Sequence, residues 1–263
     1  ILACAGHYQK PSVYERDGLR NLERAKKALI DGDYNRSLKY TEETIAISKS
    51  NNIPSLKIKA LIEKSNIHIY LKQFNLVHPL ILEAKEVSQR EVKELLPSVL
   101  YNEAVYFWET GKKEEAKKTL LDIKDPLPEL KPAYYNLVSL IEFDANNIAA
   151  ATDLALKAMK YAQKKDNLEQ ISYSNKILAE IAFIKNNYEE AIERAKKALE
   201  IDRKIANREA ILWDCEFLGK AYKRSGDKEN AFYFFYQGYE LSASTGNKVK
   251  RDYFIEEAYQ LLK

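Results

Sequence analysis

A pattern of residues returns along this chain about every 40 positions, and that recurrence limits the available folds more than any other feature. Near the C-terminus Leu218-Gly219 and Tyr222 precede Ser225-Gly226-Asp227, and Ala231, Phe235 and Leu241 follow. One period earlier Leu178-Ala179 and Ala182 precede Asn186-Asn187-Tyr188, and Ala191, Ala195, Ala198-Leu199 and Ile201 follow. Self-similarity at this spacing means copied supersecondary units that bury their apolar faces on one another, not one closed core. Such stacks present surface to other molecules and rarely carry chemistry.

The units read as helical hairpins. Turn signals separate the helical patterns at Asp31-Gly32-Asp33, Lys72-Gln73-Phe74, Gly111-Lys112-Lys113, Ala145-Asn146-Asn147, Asn186-Asn187-Tyr188 and Gly226-Asp227-Lys228. Gly and Asn tolerate the left-handed backbone that ends a helix. Early in each following helix stands a small or slim residue: Ser37, Val77, Ala116, Ala151, Ala191 and Ala231, separated by 40, 39, 35, 40 and 40 residues. Six hairpins follow from that count. Ala191, Ala195 and Ala198 share one helix face, as do Ala151, Ala155 and Ala158, so neighbouring helices approach closely there. Pro79 predicts a kink or a delayed start in the second helix of its hairpin. The breaker Asp125-Pro126-Leu127-Pro128 predicts a shortened helix and a change of path in the array, not a domain boundary.

The expected architecture is therefore all-α. Residues 1–17 read as an N-terminal tether, 18–245 as the repeat array, and 246–263 as a capping helix. Tyr253, Phe254, Ala258 and Leu261 form the apolar side of that last helix.

Composition excludes several function classes. Of 263 residues only 8 are Gly and 7 Pro, while 31% are charged and 46% hydrophobic, which suits amphipathic helices. The net charge of +3, from 42 basic and 39 acidic side chains, is too balanced to imply nucleic acid. No uninterrupted apolar run reaches the roughly 18 residues of a membrane span. His7, His68 and His78 lack partners at metal-ligand spacing, and no phosphate loop or nucleophile constellation is present. The acidic pairs Glu114-Glu115, Glu189-Glu190 and Glu256-Glu257 sit at helix starts or on polar faces. No enzyme activity, metal or cofactor is expected. Cys215, among Trp213, Phe217 and Leu218, reads as a buried small hydrophobe.

Leu218-Gly219, Tyr222, Gly226-Asp227, Ala231 and Phe235 resemble the tetratricopeptide repeat. Leu178-Ala179, Tyr188, Ala191, Ala198 and Leu199-Glu200-Ile201-Asp202 match nearly as well, and Ala104, Gly111, Ala116 and Leu120 give a third match. The hairpins around Ser37, Val77 and Ala151 are degenerate. The resemblance implies an α-α superhelix whose first helices line a concave groove. A period longer than the usual ~34 residues resembles the extended repeats of peptide-sensing bacterial regulators.

Carried over by position, the implied groove residues are Asn66, Ile69 and Tyr70, then Tyr101, Asn102, Val105, Trp108 and Glu109. Tyr135, Asn136, Ser139 and Phe143 follow, then Glu180, Phe183 and Ile184, and finally Lys220, Lys223 and Arg224. The echo of Tyr101-Asn102 in Tyr135-Asn136 is the sharpest local clue. An Asn amide can hold both backbone groups of an extended peptide while the adjacent ring packs a side chain. In the alternative the rings pack between hairpins and the asparagines cap local backbone. The basic trio, with Glu216 nearby, would receive an acidic tail or a terminal carboxylate, or else is a solvated face. The run Phe232 to Tyr236, with Tyr239, is too aromatic for one core face: some rings pack under the terminal helix and some form a contact patch.

Ile1-Leu2-Ala3-Cys4 resembles the lipobox of bacterial lipoproteins, with Ala3 as the small residue before Cys4. The alternative is an ordinary cysteine in a frayed terminus. The expected function is a non-catalytic interaction scaffold, lipid-anchored through Cys4 at the periplasmic face of a bacterial membrane, in an envelope assembly or secretion complex. The alternative is a cytoplasmic peptide-sensing module. Partners are expected to be proteins or peptides, with no nucleic acid, and the chain itself a monomer or weak dimer.

Overall fold

The structure, a computed structural model, describes residues 11–262. Thirteen α-helices and no strand form among them. Twelve pair as hairpins: α1 (Val13–Ile30) with α2 (Tyr34–Ser50), α3 (Pro54–Tyr70) with α4 (Phe74–Glu91), and α5 (Leu96–Glu109) with α6 (Lys113–Leu121). The series continues with α7 (Lys131–Asp144) and α8 (Ile148–Gln163), α9 (Leu168–Ile184) and α10 (Tyr188–Lys204), and α11 (Arg208–Ser225) and α12 (Lys228–Ser244). A terminal helix, α13 (Lys248–Leu261), covers the last pair. Six hairpins and one capping helix are the elements that the recurrence predicts.

One turn design serves all six hairpins. Gly32, Lys72, Gly111, Asn146, Asn186 and Gly226 each adopt positive φ. The next residue donates its N–H back across the turn, as from Asp33 to Ala28 O at 2.8 Å and from Asn187 to Ala182 O at 2.9 Å. This closure satisfies the last carbonyls of the first helix. In three hairpins the same residue then caps the second helix: Asp33, Asn187 and Asp227 side chains accept from the N–H of Arg36, Glu190 and Asn230. A single position thus ends one helix and starts the next.

The six slim residues mark the helix crossings. Ser37, Val77, Ala116, Ala151, Ala191 and Ala231 are all fully buried, at 0% exposure. Ser37 fits this role because its Oγ donates to Ala25 O at 2.7 Å, so the hydroxyl enters the crossing satisfied.

The chain divides into two compact units at Asp125 and Pro126. The sequence implies only a bend at this breaker; the structure places a unit boundary there. Two prolines in three residues exclude a helix, and α6 stops after nine residues. In the first unit Leu56 of α3 lies where a side chain on Gly18 of α1 would stand, and Ile58, Leu61, Val77, Ile81 and Val99 form a core across α3, α4 and α5. Helix α4 runs from Phe74 straight through Pro79, so its start is not delayed. Pro79 falls early in the helix, where one backbone bond is lost. Helix α1 begins at Val13, inside the segment that reads as a tether, because Ser12 caps it by accepting from Glu15 N–H at 3.1 Å.

In the second unit Ala179, Ala182, Ala191, Ala195, Leu199, Leu218, Ala221 and Ala231 form the central core. Phe235 and Phe254, both fully buried, join α11, α12 and α13.

Candidate functional site

In each unit the first helices of the hairpins carry the candidate residues. Asn102 on α5 is 2% exposed and donates from Nδ2 to Asn66 Oδ1 on α3 at 2.7 Å. Asn136 on α7 is fully buried. Its Nδ2 donates to Gln170 Oε1 on α9 at 3.0 Å, and its Oδ1 accepts from Ser174 Oγ at 2.8 Å. These asparagines tie one first helix to the next and do not face a peptide. The expectation of a backbone clamp at Asn102 and Asn136 is therefore corrected, while half-buried Asn66 serves as the acceptor for Asn102. Ser139 is likewise spent within the fold, donating to Ala151 O at 2.7 Å.

The aromatic candidates divide. Tyr70 is 42% exposed and packs beside Tyr34 with ring centroids 5.8 Å apart. Trp108 is half-buried under Lys113 Nζ, 5.7 Å from its ring centroid. Tyr101 is half-buried, and Val105 packs in the core of the first unit. Tyr135 stacks on Tyr161 of its own hairpin at 5.6 Å, beneath Lys157 Nζ at 4.2 Å. Phe143 packs beside Ala151, Ala155 and Ile177.

Phe183 belongs to a row that crosses two hairpins. Its ring lies 5.6 Å from Phe217 on α11, which stacks on Trp213 at 5.0 Å. Lys176 Nζ sits 5.0 Å from the Trp213 ring. Ile184, 50% exposed, stands next to Phe183 on α9. Burial pushes the nearby Glu180 carboxyl above its ordinary range, although Lys176 works against that. The result is an apolar strip with a cation and a partly desolvated acid beside it.

Beneath this strip lies a buried ionic cluster that sequence reasoning missed. Lys176 Nζ contacts Asp202 of α10 at 2.7 Å and Asp214 of α11 at 3.5 Å, and donates to Ala210 O at 3.3 Å. Ser172 Oγ donates to Asp202 Oδ2 at 2.8 Å. Burial pushes the Asp214 carboxyl up to about 8; Lys176 opposes the rise and Asp202 adds to it. One ammonium between two buried carboxylates favours keeping a proton on one of them. The available signal is an acid on an apolar stripe: Asp214 precedes Leu218 by four residues and Ala221 by seven.

The basic trio on α11 is largely engaged already. Lys220 pairs with Glu216 at 2.6 Å, Lys250 of α13 with the same carboxylate at 2.7 Å, and Lys223 with Glu257 of α13 at 2.9 Å. Burial works against the Glu216 carboxylate, yet its two lysine partners hold it below the usual range. Glu257 of the terminal helix pairs with Lys223, and Glu216 of α11 itself pairs with Lys220, so both lysines already hold an acid within the fold where the sequence reading assigns one to a partner's tail, which corrects that expectation. Arg224 is exposed at the end of α11.

The remaining candidates are structural or undescribed. His68 is buried and bonded to Gln73 Oε1 at 2.7 Å, and His78 stacks on Tyr106. Cys215 is 1% exposed, and burial pushes its thiol up to about 12. On α12 Phe234 and Phe235 are buried whereas Tyr233 and Tyr236 are exposed. Cys4 and His7 lie outside the described residues. Among the described residues no cluster of three or more His, Cys, Asp or Glu is placed to hold a metal, and no helix is long and apolar enough to cross a membrane.

Residues 168–244 match the family model of the tetratricopeptide repeat, a span that runs from the start of α9 to the end of α12. Residues 168–244 carry tetratricopeptide repeats. Solved structures share the fold at low identity. BtubC from P. vanneervenii superposes with a TM-score of 0.61 at 16% identity, over 90% of this chain and 93% of that one. The signal transduction ATPase PH0952 from Pyrococcus horikoshii, which has a tetratricopeptide repeat sensor, gives 0.68 at 17% identity, over 97% of this chain and 38% of that one. PilW, a type IV pilus biogenesis factor, gives 0.59 at 15% identity, over 94% and 98%. No match was found among curated proteins. Repeats of this kind are interaction scaffolds, and that coarse role is the one the fold supports.

Proposed function

We propose that the chain is a non-catalytic adaptor that holds a peptide or protein segment of a partner against the first helices of its repeats, with α9 and α11 as the main contact. The observation that carries this reading is the half-buried pair Phe183 and Trp213, joined through the buried ring of Phe217, which continues across two adjacent repeats and ends beside exposed Ile184. Aromatic rings held rigidly by their neighbours offer contact area at little entropic cost. The test is capture of partners on immobilised protein, comparing the wild type with Ile184→Asp. Loss of specific partners from the variant supports the reading; an unchanged set removes it.

The setting we propose is a lipid-anchored scaffold at the periplasmic face of a bacterial membrane, serving an envelope assembly or secretion complex. Its support is the Ile1-Leu2-Ala3-Cys4 motif, together with the fold shared with PilW. Mass spectrometry of the native protein decides it: a diacylglyceryl thioether on Cys4 supports anchoring, and an unmodified thiol refutes it. A second reading, a cytoplasmic peptide-sensing module, is favoured by the fold shared with the repeat sensor of the P. horikoshii ATPase. Light scattering tests the monomer or weak dimer that either reading expects.

A further inference from the structure

Two buried acids share the Lys176 ammonium, and they are not equivalent. Asp202, 2% exposed, takes a bond from Ser172 Oγ at 2.8 Å and meets Lys176 Nζ at 2.7 Å. Asp214 is fully buried, with Lys176 Nζ at 3.5 Å, and both of its oxygens lie out of solvent without receiving a hydrogen bond. Asp202 is built to carry a charge and Asp214 is not. A carboxylate stripped of water and of donors is costly, whereas the acid form needs neither. With its proton in place Asp214 donates to Asp202, and the set of one ammonium, one carboxylate and one acid is neutral.

The surroundings do not rebalance the set once that proton leaves. The charges acting on Asp214 are those of Lys176 on α9 and Asp202 on α10. Glu180, one turn further along α9, adds an acid beside Lys176, and Arg203 of α10 acts on the neighbouring Cys215 thiol. The sides of α12 and α13 that meet α11 here are apolar, with Phe234, Phe235, Phe254 and Ala258. Lys250 and Glu257 of α13 pair instead with Glu216 and Lys223. Loss of the proton therefore leaves one ammonium between two buried carboxylates, where three helices meet.

We propose that Asp214, Asp202 and Lys176 form a proton-operated latch: the proton between the two acids keeps α11 seated on α10 and α9, and α11 opens from them more readily once that proton is lost to solvent. The bond that breaks is the Asp214 O–H, and its proton passes to water. In the closed seam burial holds the Asp214 carboxyl up to about 8, and in the opened seam it returns to its ordinary 3.8. Between those values opening releases a proton, so opening becomes easier as pH rises. Opening also parts Phe183 of α9 from Phe217 and Trp213 of α11. Resting on the first-helix reading, the latch sets how firmly a segment is held on that row, more firmly in acid than near neutrality.

Hydrogen exchange of the protein without a partner, from about pH 5 to about pH 7, tests the latch through local opening. After division by the intrinsic exchange rates, amides of α11 around Asp214 and of α9 around Lys176 should open about tenfold more per pH unit, the effect of one proton released. Amides of α7 and α8, in the same unit but away from the cluster, should show no such slope. In Asp214→Asn, which has no proton to lose, the slope on α9 and α11 should vanish. Should that variant not fold, the wild-type contrast between the two helix pairs decides. A flat profile on α9 and α11, an equal slope on α7 and α8, or a slope that persists in Asp214→Asn each overturns the latch. No partner is present, so this result is independent of whether Ile184→Asp loses its partners.

Discussion

The ring of Phe254 on α13 occupies the space that a side chain on Gly238 of α12 would need. Phe254 is fully buried, so the terminal helix is seated by that absent side chain. Gly219 and Phe235 repeat the relationship between α11 and α12: a Cβ on Gly219 would stand 2.5 Å from the ring. Gly238→Ala should destabilise the second unit by about 1–3 kcal/mol, the usual cost of overpacking. Urea unfolding measures it, and Ala191→Leu, at a fully buried crossing, should cost a similar amount.

The turns give a prediction of opposite signs. Gly226 and Ala206 both sit at positive φ, at 89° and 57°. Gly226→Ala should lower stability by about 1 kcal/mol through backbone strain. Ala206→Gly should relieve that strain, so its thermal midpoint should not fall.

Asp214 makes stability depend on pH. Its carboxyl holds a proton up to about pH 8 in the folded state, against an ordinary value of 3.8. Between those values the unfolded chain has released the proton and the folded chain has not. The contribution is therefore fully present below about pH 4 and is lost as pH rises toward 8. Asp214→Asn imitates the protonated group and removes the dependence. The variant should gain on the wild type as pH increases across that window, in urea titrations run at each pH. A constant difference would show that Asp214 ionises normally.

Much of the fold was legible in the sequence because turn chemistry and small-residue spacing are local signals. Gly32, Asn186 and Gly226 announce left-handed turns, and the buried Ser37, Ala151 and Ala191 announce crossings. The site was less legible because facing a groove and facing the next repeat differ by a small rotation about the helix axis. Asn102 and Asn136 fall on the repeat-facing side, where an amide that could clamp a peptide ties helices instead. Lys176 and Asp214 are 38 positions apart in the chain and meet only once the repeats stack.

Asn136→Ala separates those two roles. It removes the donor to Gln170 and the acceptor for Ser174 Oγ, which keeps only its 2.9 Å bond to Gln170 O. Thermal unfolding should show a loss of about 1–3 kcal/mol. Peptide capture by the folded variant should not change.

The most direct measurement is hydrogen exchange along the chain, with and without a captured partner. Protection should increase on α9 and α11, around Phe183, Ile184 and Trp213, and Ile184→Asp should abolish the increase. Protection gained elsewhere with α9 and α11 unaffected would contradict the account.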